Sequence, residues 1–364
     1  MKVLVVTPLF ALAGVPLAQQ RLAIALAARG HHVHFVIGHI GEGYRFVPPA
    51  GIEVSVLGAV RVRAMVAPLQ KLIKTFSPGV IFSAEDHLNL AVIIAATLAG
   101  SRAKITASSR VTPFDTYSDR WFSKRWLLKQ AARLIMPRAD VLSCVSADMV
   151  EQYRKVFGKT NHLCIYNIVD DAFSRKRAGE PIDHPWAIGK AHPLIVAAGR
   201  LAPWKGFDLL IDAAAILAKR VSFRLLILGD GPERESLRRR IKEYGLEKVI
   251  ELVGYVENPL KFFSRADVFV LSSRVEGLPN VLVEAMMCGA TPVATDCPTG
   301  PREVLRGGGR YGYLVPVENP DALAQGMFEA IHAPIPYHRL QEAVQPFEEG
   351  RVLDRHFQLL GLAG

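Results

Sequence analysis

The residues with the clearest chemical potential in this sequence lie between positions 272 and 286, in the stretch SSRVEGLPNVLVEAM. Two glutamates, Glu276 and Glu284, stand eight positions apart within it. An ionised carboxylate only accepts hydrogen bonds, which suits the hydroxyl groups of a sugar. The plain alternative is one loop glutamate and one exposed helical glutamate. Whether the pair indicates a sugar-binding site therefore depends on the residues around it.

The residues around this pair predict an anion site. A strand is expected to end at Ser272, and Pro279 fits the first turn of a following helix, where its missing N–H is no loss. Gly277 lets a ligand approach the backbone closely. Three amides of the first helical turn are then expected to point toward a phosphate group: those of Asn280, Val281 and Leu282.

A second candidate loop, GRLAPWKG at positions 199–206, also follows a predicted strand. It holds two cations five positions apart, Arg200 and Lys205, and both can reach one diphosphate, Arg as a fork and Lys as a point charge. The alternative is a solvated surface loop. Two anion sites at neighbouring strand ends of one domain favour a nucleoside diphosphate.

The elements that must position these loops follow an alternating pattern. Short β-branched runs alternate with helical patterns along most of the 364 residues, which predicts βαβ units and parallel sheets. The runs are almost wholly apolar, as expected when helices cover both faces of a sheet. The pattern breaks at 173–192, which is rich in charge, proline and glycine, and then restarts. We therefore predict two doubly wound α/β domains with ligands at the carboxyl ends of the strands.

With these motifs the second half resembles the retaining glycosyltransferases of the GT-B fold, the large family four group. The Glu-x7-Glu signature of that group matches Glu276 and Glu284, and its Gly-Arg-Leu…Lys-Gly loop matches 199–206. Further matches lie at 229–233, 296–303 and 311–316. The resemblance implies two Rossmann-like doubly wound domains that face each other across a cleft. The expected divisions are an acceptor-binding domain at 1–172, a linker at 173–192, a nucleotide-sugar-binding domain at 193–345 and a helix crossing back to the first domain at 346–364.

The resemblance also implies a role for each matched position. Arg200 and Lys205 would hold the diphosphate, Glu284 the ribose hydroxyls and Glu276 the hydroxyls of the transferred sugar, while Val256 would meet the base through its backbone. The expected catalytic residues are Glu276, Arg200 and Lys205. The expected donor-binding residues are Arg200, Lys205, Val256, Gly277, Asn280, Val281, Leu282, Glu284 and Gly14.

The first half is similar more loosely. Ser83 with Asn89 fits a Ser…Asn pattern of some members, and 109–113 fits a Ser-x-Arg-x-x-Pro-like stretch, so Asn89 and Arg110 are expected on the acceptor side. Many members carry paired glycines in the first loop, where this chain has Gly14 alone. Many also carry a histidine near 108–110, where this chain has Ser-Ser-Arg.

Charge is distributed unevenly, with a formal net charge of +10. Residues 1–180 contain 23 basic and 12 acidic side chains, so the whole excess lies there. Within 118–129, cations interleave with aromatic residues, and a helix there would place Trp and Leu against lipid and Lys and Arg at anionic headgroups. The competing reading is an amphipathic helix packed on its own domain. The expected membrane contacts are Trp121, Lys124, Arg125 and Trp126.

These observations also limit the partners and cofactors. The chain lacks any recognised nucleic-acid-binding signature, so no nucleic-acid partner is expected. Four cysteines are scattered without metal spacing, which predicts reduced thiols, a cytoplasmic protein and neither metal nor other cofactor. The expected activity is retaining transfer of a hexose or N-acetylhexosamine from a UDP- or GDP-sugar to a lipid-linked or glycan acceptor, at the inner face of the cell membrane. The alternatives of the same fold are a transferase that acts on soluble acceptors such as a sugar phosphate, a sugar-nucleotide epimerase, and a non-catalytic nucleotide-sugar-binding protein.

Overall fold

Two α/β units make up the fold, each with its own parallel sheet. The first unit comprises Met1–Ile168 together with Glu349–Gly364, and the second comprises Val169–Glu348. The computed structural model describes residues 1–11, 14–42, 46–158, 161–189 and 191–362.

The first unit is built on a parallel sheet of seven strands among its described residues. In chain order these are β1 (Lys2–Phe10), β2 (His32–Ile40), β3 (Glu53–Val56), β4 (Val80–Ala84), β5 (Lys104–Ser109), β6 (Val141–Cys144) and β7 (His162–Cys164). Their order across the sheet is β3-β2-β1-β4-β5-β6-β7. Every residue of β4 is buried, because helices cover both faces of the sheet.

Helices of the first unit flank this sheet. They are α1 (Gly14–Ala28), α2 (Val66–Phe76), α3 (Asp86–Leu98), α4 (Pro113–Thr116), α5 (Lys124–Ile135) and α6 (Ala147–Phe157). The last helix of the chain, Glu349–Leu359, also belongs to this unit, and its buried side chains join the core formed by β1, β2 and α1.

The second unit repeats the plan with six parallel strands among its described residues. These are β8 (Leu194–Ala198), β9 (Arg224–Leu228), β10 (Ile250–Gly254), β11 (Val268–Leu271), β12 (Thr291–Thr295) and β13 (Tyr313–Val315), in the order β10-β9-β8-β11-β12-β13. Its helices are α7 (Ala172–Ala178), α8 (Pro185–Gly189), α9 (Phe207–Leu217), α10 (Arg234–Glu243), α11 (Leu260–Phe263), α12 (Asn280–Met287), α13 (Pro301–Val304), α14 (Pro320–His332) and α15 (Tyr337–Val344), and the C-terminal helix above is α16.

Each sheet has one point at which the strand order reverses direction. In the first unit this switch point lies between β1 and β4, and in the second between β8 and β11. Open sheets of this kind bind ligands outside the carboxyl ends of the strands at the switch point. The loops after these four strands are therefore the places to look for chemistry.

The predicted linker at 173–192 is wrong. This segment lies within the second unit and contains most of α7 and all of α8. The Asp171 side chain caps α7 by accepting a hydrogen bond from the Ser174 amide at 2.7 Å. The basic residues in the last turn of α7 interact favourably with the negative end of the helix dipole. The charges that suggested a linker therefore stabilise a helix.

The helix expected within 118–129 begins later than predicted. Ser123 is the N-cap of α5, and its hydroxyl accepts a hydrogen bond from the Trp126 amide at 3.1 Å. Residues 118–123 are consequently outside the helix. Among the described helices of either unit, none is both long and apolar enough to cross a membrane.

Candidate active site

The loops that follow β8 and β11 pack closely against each other at the switch point of the second sheet. Gly206 has φ +63°, and a Cβ added to it would lie 2.1 Å from the Ser272 carbonyl oxygen, so only glycine fits there. The Ser272 hydroxyl donates to the Lys205 carbonyl oxygen at 3.0 Å. The two motifs that the sequence singled out are thus in direct contact.

Two predicted site residues form an ion pair at this junction. The Nζ atom of Lys205 lies 2.6 Å from Oε1 of Glu276, and the side chains are only 18% and 8% exposed. The Ser273 hydroxyl donates to the same carboxylate oxygen at 2.6 Å. The site therefore holds its cation against its carboxylate, an arrangement that the spacing of the sequence did not predict.

Arg200, the other predicted cation, lies directly after β8 and is exposed. Within the described part of the chain its side chain has neither a hydrogen bond nor an ion pair. It therefore offers an unengaged guanidinium fork next to the loop that carries Lys205.

Arg274 anchors the second loop, although the sequence analysis assigned it no role. Its guanidinium binds both carboxylate oxygens of Asp208 at 2.8 Å and the Pro203 carbonyl oxygen at 2.7 Å, and it pairs with Glu318. Burial raises the pKa of Asp208, but the hydrogen bonds and charge of Arg274 outweigh burial and hold it below its ordinary value. The loop that carries Glu276 is therefore anchored to α9 and to the turn at Pro203–Lys205.

The start of α12 corrects part of the predicted anion site. The Asn280 amide donates to the Leu278 carbonyl at 3.0 Å, and the Leu282 amide donates to the Pro279 carbonyl at 2.9 Å, so these two amides are already used. The tight turn at Pro279, whose φ and ψ are −78° and 81°, brings those carbonyls within reach. The Val281 amide has no backbone acceptor among the described residues and is the one amide of the three that remains for a ligand.

The remaining donor-side positions occupy the same edge of the second unit or its helix α12. Glu284 is buried within α12, and Gly277 lies in the loop before it. Val256 follows β10 and is half-buried.

The carboxyl ends of β8, β9 and β10 meet at this edge. The Gly229 amide donates to the Gly254 carbonyl at 2.7 Å, and the Gly199 amide donates to the Leu228 carbonyl at 3.0 Å. Residues from three strand ends thus lie side by side.

In the first unit, the structure corrects the prediction for Asn89. Its side chain is 0% exposed. Its Oδ1 accepts from the Ser83 hydroxyl at 2.7 Å and its Nδ2 donates to the Ser108 carbonyl at 3.0 Å. Asn89 therefore links α3 to the ends of β4 and β5 and has no free polar atom for an acceptor.

Arg110 follows β5 and its guanidinium is largely enclosed by neutral partners. It donates to Oδ1 of Asn167 and, at 3.4 Å, to Oε1 of Gln19, while its buried Nε has no partner among the described residues. Burial lowers the pKa of Arg110 to about 10, against the opposing charge of Glu85. Gly14, the other predicted residue at this edge, is the first residue of α1.

Two acidic residues at the same edge were missed by the sequence analysis. Glu85 and Asp86 directly follow β4, and charged residues directly after a buried strand of a parallel sheet are the pattern that would have found them. Asp86 is buried and accepts hydrogen bonds from three hydroxyls, those of Ser109 at 2.6 Å and of Tyr117 and Tyr153 at 2.5 Å. Burial raises its pKa despite these donors.

Three rings beside the start of α5, those of Trp121, Phe122 and Trp126, form the aromatic cluster of the predicted membrane surface. Trp121 and Phe122 are 74% and 77% exposed, and the Trp121 ring stacks on that of Trp126 with 5.9 Å between centroids. Lys124 and Arg125, in the first turn of α5, are exposed beside them.

One cation of the same stretch does not join this surface. Lys129 is buried and pairs with Asp119, so it faces inward. No group of three or more potential metal ligands occurs among the residues that the structure describes.

Two family models cover most of this sequence. The model for glycosyl transferases group 1 matches residues 180–346, and that for the glycosyl transferase 4-like domain matches residues 13–167. Among curated proteins, the N-acetylgalactosamine-N,N'-diacetylbacillosaminyl-diphospho-undecaprenol 4-alpha-N-acetylgalactosaminyltransferase of Campylobacter jejuni is 30% identical over 65% of this chain and 62% of its own length. The amylovoran biosynthesis glycosyltransferase AmsD of Erwinia amylovora is 34% identical over 39% of this chain and 36% of its own length. The matched region thus spans about three fifths or less of these relatives.

The fold is shared with solved structures of low sequence identity. Alr3699/HepE of Anabaena, solved in complex with UDP, superposes with a TM-score of 0.78 at 21% identity over 99% of this chain and 100% of that one. The predicted fold class, two doubly wound parallel-sheet domains of the GT-B type, is confirmed. The chain belongs to the group 1 glycosyltransferases of the family four type.

Proposed function

We propose that this protein is a retaining glycosyltransferase that moves a hexose or an N-acetylhexosamine from a nucleoside diphosphate sugar to an acceptor hydroxyl. The observation that carries the proposal is the contact between Lys205 and Glu276 at the switch point of the second sheet, beside the unengaged Arg200. Cations for a diphosphate and a carboxylate for sugar hydroxyls lie at one edge, as a nucleotide sugar requires.

The ion pair gives each residue a defined task in the proposed reaction. An incoming diphosphate competes with Glu276 for the Lys205 ammonium, and the carboxylate that is released accepts hydrogen bonds from the sugar, while Ser273 keeps it oriented. Arg200, Lys205 and the Val281 amide then stabilise the negative charge that develops on the leaving diphosphate. We infer no role in this step for the amides of Asn280 and Leu282, which are already bonded.

Retention follows from attack on the face that the leaving group departs from. The bond between the anomeric carbon and the diphosphate oxygen breaks, a bond to the acceptor oxygen forms, and the acceptor proton passes to the diphosphate. This scheme needs no covalent enzyme intermediate. It also needs no metal ion, because the two cations and the amide fulfil the task of neutralising charge; chelation with EDTA is expected to leave turnover unchanged.

The donor is proposed to be a UDP-sugar, with GDP-sugars as the other candidates. Support comes from Alr3699/HepE of Anabaena, which shares the fold and was solved with UDP and with UDP-glucose. The acceptor is proposed to be lipid-linked or a growing glycan, since the names of two relatives specify a diphospho-undecaprenol acceptor and amylovoran biosynthesis. We propose accordingly that the protein acts as a cytoplasmic protein bound peripherally to the inner face of the cell membrane.

A panel of UDP-, GDP- and ADP-sugars tests this proposal. We expect one donor to raise the melting temperature, to be hydrolysed slowly, and to glycosylate one of a set of octyl glycosides with the anomeric configuration of the donor, as read by NMR. Inverted configuration would contradict retention. A changed sugar still attached to its nucleotide would indicate an epimerase, and stabilisation without turnover would indicate a binding protein.

The same assay tests the residues. Lys205→Ala removes one of the two cations proposed to stabilise the developing charge, and we expect turnover to fall by about 100-fold or more. Lys248→Ala, a change of the same type at an exposed position of the same unit, is the control and should retain full turnover. Equal activity of the two variants would remove Lys205 from the site.

A further inference from the structure

The switch point of the first sheet carries a second polar site, and its central residue is Glu85. This residue directly follows β4, which lies next to β1 where the strand order reverses. In the second unit the equivalent edge carries the residues proposed above for the donor. A transferase has two substrates, so the edge of the first unit is the place to seek contacts with the other one.

The backbone of Glu85 is held in a conformation that a glutamate rarely adopts. Its φ and ψ are 80° and 133°, outside the left-handed helical region that non-glycine residues visit. The conformation is imposed from both sides, since the Glu85 amide donates to the Ser108 carbonyl at 2.9 Å and its carbonyl accepts from the Asn89 amide at 2.8 Å. Glycine would fit this position more easily, so the carboxylate is present despite the strain.

The Glu85 carboxylate is unengaged although its neighbours are bonded. It is half-buried and makes neither a hydrogen bond nor an ion pair with any residue that the structure describes. The adjacent Asp86, by contrast, accepts three hydroxyl donors. Burial raises the pKa of Glu85, and the nearby positive charge of Arg110 acts against that rise.

The surroundings of Glu85 select an uncharged donor of hydrogen bonds. Arg110 is near enough to influence Glu85 electrostatically, but no carboxylate lies within ion-pair distance of its guanidinium among the described residues, and its buried Nε lacks a partner. Glu85 supplies an unengaged acceptor, and Arg110 supplies a nearby positive charge. A sugar hydroxyl, which both donates and accepts, matches such a pair, whereas a carboxylate ligand would be repelled by Glu85.

We propose that Glu85 is an acceptor-binding residue whose carboxylate accepts a hydrogen bond from a hydroxyl of the acceptor sugar. This inference rests on the proposed function. It assigns a residue of the first unit to the acceptor, where the buried Asn89 has no atom to offer.

The test separates acceptor binding from donor binding in the full chain. Glu85→Gln keeps the size of the side chain and removes its charge. With the active donor of the panel and the best octyl glycoside, we expect kcat/KM for the glycoside to fall by about 10- to 100-fold, the range for loss of a charged hydrogen bond. The dissociation constant of UDP should stay within about twofold. Glu151→Gln, at an exposed position of α6, should change neither quantity.

A second variant guards against a purely structural role. Glu85→Gly removes the carboxylate and relieves the backbone, so we expect a melting temperature equal to or above that of the parent, together with the same loss of transfer. Unchanged transfer by Glu85→Gln, equal losses of transfer and UDP affinity, or a lowered melting temperature of Glu85→Gly would each overturn the inference. If the parent protein transfers sugar from no donor to any glycoside, the proposed function fails first and this inference falls with it.

Discussion

At the scale of single residues, the ion pair of Lys205 with Glu276 determines what a donor must displace. Both side chains are largely withdrawn from water, so each is the charge partner of the other. A donor therefore exchanges one partner for another: the diphosphate replaces Glu276 at Lys205, and sugar hydroxyls replace Lys205 at Glu276. A free nucleoside diphosphate carries no sugar. It can replace Glu276 at Lys205, but it leaves the Glu276 carboxylate without a new partner.

This difference between the free nucleotide and the nucleotide sugar predicts that Glu276→Gln has opposite effects on UDP affinity and on turnover of the donor. The neutral amide binds the Lys205 ammonium more weakly, so the diphosphate of UDP meets less competition, and we expect UDP to bind roughly fivefold more tightly, for about 1 kcal/mol of ion pairing lost. Turnover of the intact donor should fall, because the sugar loses its carboxylate partner. Isothermal titration with UDP and a transfer assay measure the two effects.

The control for this pair of effects is Glu247→Gln, at an exposed position of the same unit. It should leave both UDP affinity and turnover unchanged. Weaker UDP binding by Glu276→Gln would show that the ion pair orders the site for the nucleotide instead of competing with it.

At the scale of elements, α16 packs into the first unit through a buried histidine. His356 stacks edge-on against Phe82 with 5.2 Å between ring centroids, and its buried Nδ1 has no partner among the described residues. Burial, and secondarily the charge of Arg110, lower the pKa of His356 to about 3. Protonation of this imidazole therefore opposes the packing of α16 against the first unit.

The sign of the resulting pH dependence follows from proton binding. Between pH 6.5 and about 3, unfolded His356 binds a proton that the folded protein excludes, so stability is lost as the pH falls through this window. At pH 5 the loss is about 2 kcal/mol, or roughly 5 °C in the melting temperature of the first unit. Buried His162, with its pKa lowered to about 4, acts in the same direction, whereas the raised pKa values of Asp86 and Glu85 act against it.

Comparing variants isolates the contribution of His356. We expect the fall in melting temperature between pH 7.5 and pH 5.0 to be about 5 °C smaller in His356→Leu than in the parent. His338→Leu, at an exposed position of α15, should retain the dependence of the parent. Identical pH profiles for His356→Leu and the parent would mean that α16 does not respond to protonation.

The elements also show how far the sequence could be interpreted. Apolar β-branched runs predicted the parallel strands, because burial on both faces leaves a local mark in composition. The segment at 173–192 misled because the Asp171 cap and the terminal cations of α7 are polar, like a linker. The Glu276 and Lys205 motifs were found, but their mutual contact depends on strands β8 and β11 lying side by side, which no local pattern specifies.

At the scale of the whole molecule, charge separates along the two units. The first unit carries 22 basic and 11 acidic side chains, the second 22 basic and 23 acidic, so the formal charges are +11 and −1. The proposed donor site lies in the nearly neutral unit and needs only its local cations. The excess of the first unit is thus available for another anionic partner, and the exposed aromatic cluster beside α5 belongs to that unit.

An anionic membrane surface is a partner that suits both the positive charge of the first unit and its exposed aromatic cluster. Exposed rings of Trp121 and Phe122 suit the interfacial region of a bilayer, and each nearby Lys or Arg contributes about 1 kcal/mol of attraction to anionic lipids. We expect the protein to float with vesicles of phosphatidylglycerol and phosphatidylcholine at low salt, and to be released as salt screens the charges. Vesicles of phosphatidylcholine alone should bind weakly.

Two kinds of variant separate the apolar and the charged contributions to vesicle binding. Replacing Trp121 and Phe122 by Ser should weaken binding at every salt concentration, because apolar burial is not screened. Changing Lys124 and Arg125 to Glu should abolish the binding that depends on anionic lipid, whereas the same reversal at the exposed Arg238 and Arg239 of α10 should leave it intact. Equal loss in both charge-reversal variants would mean that total charge, and not the surface beside α5, governs attraction to the bilayer.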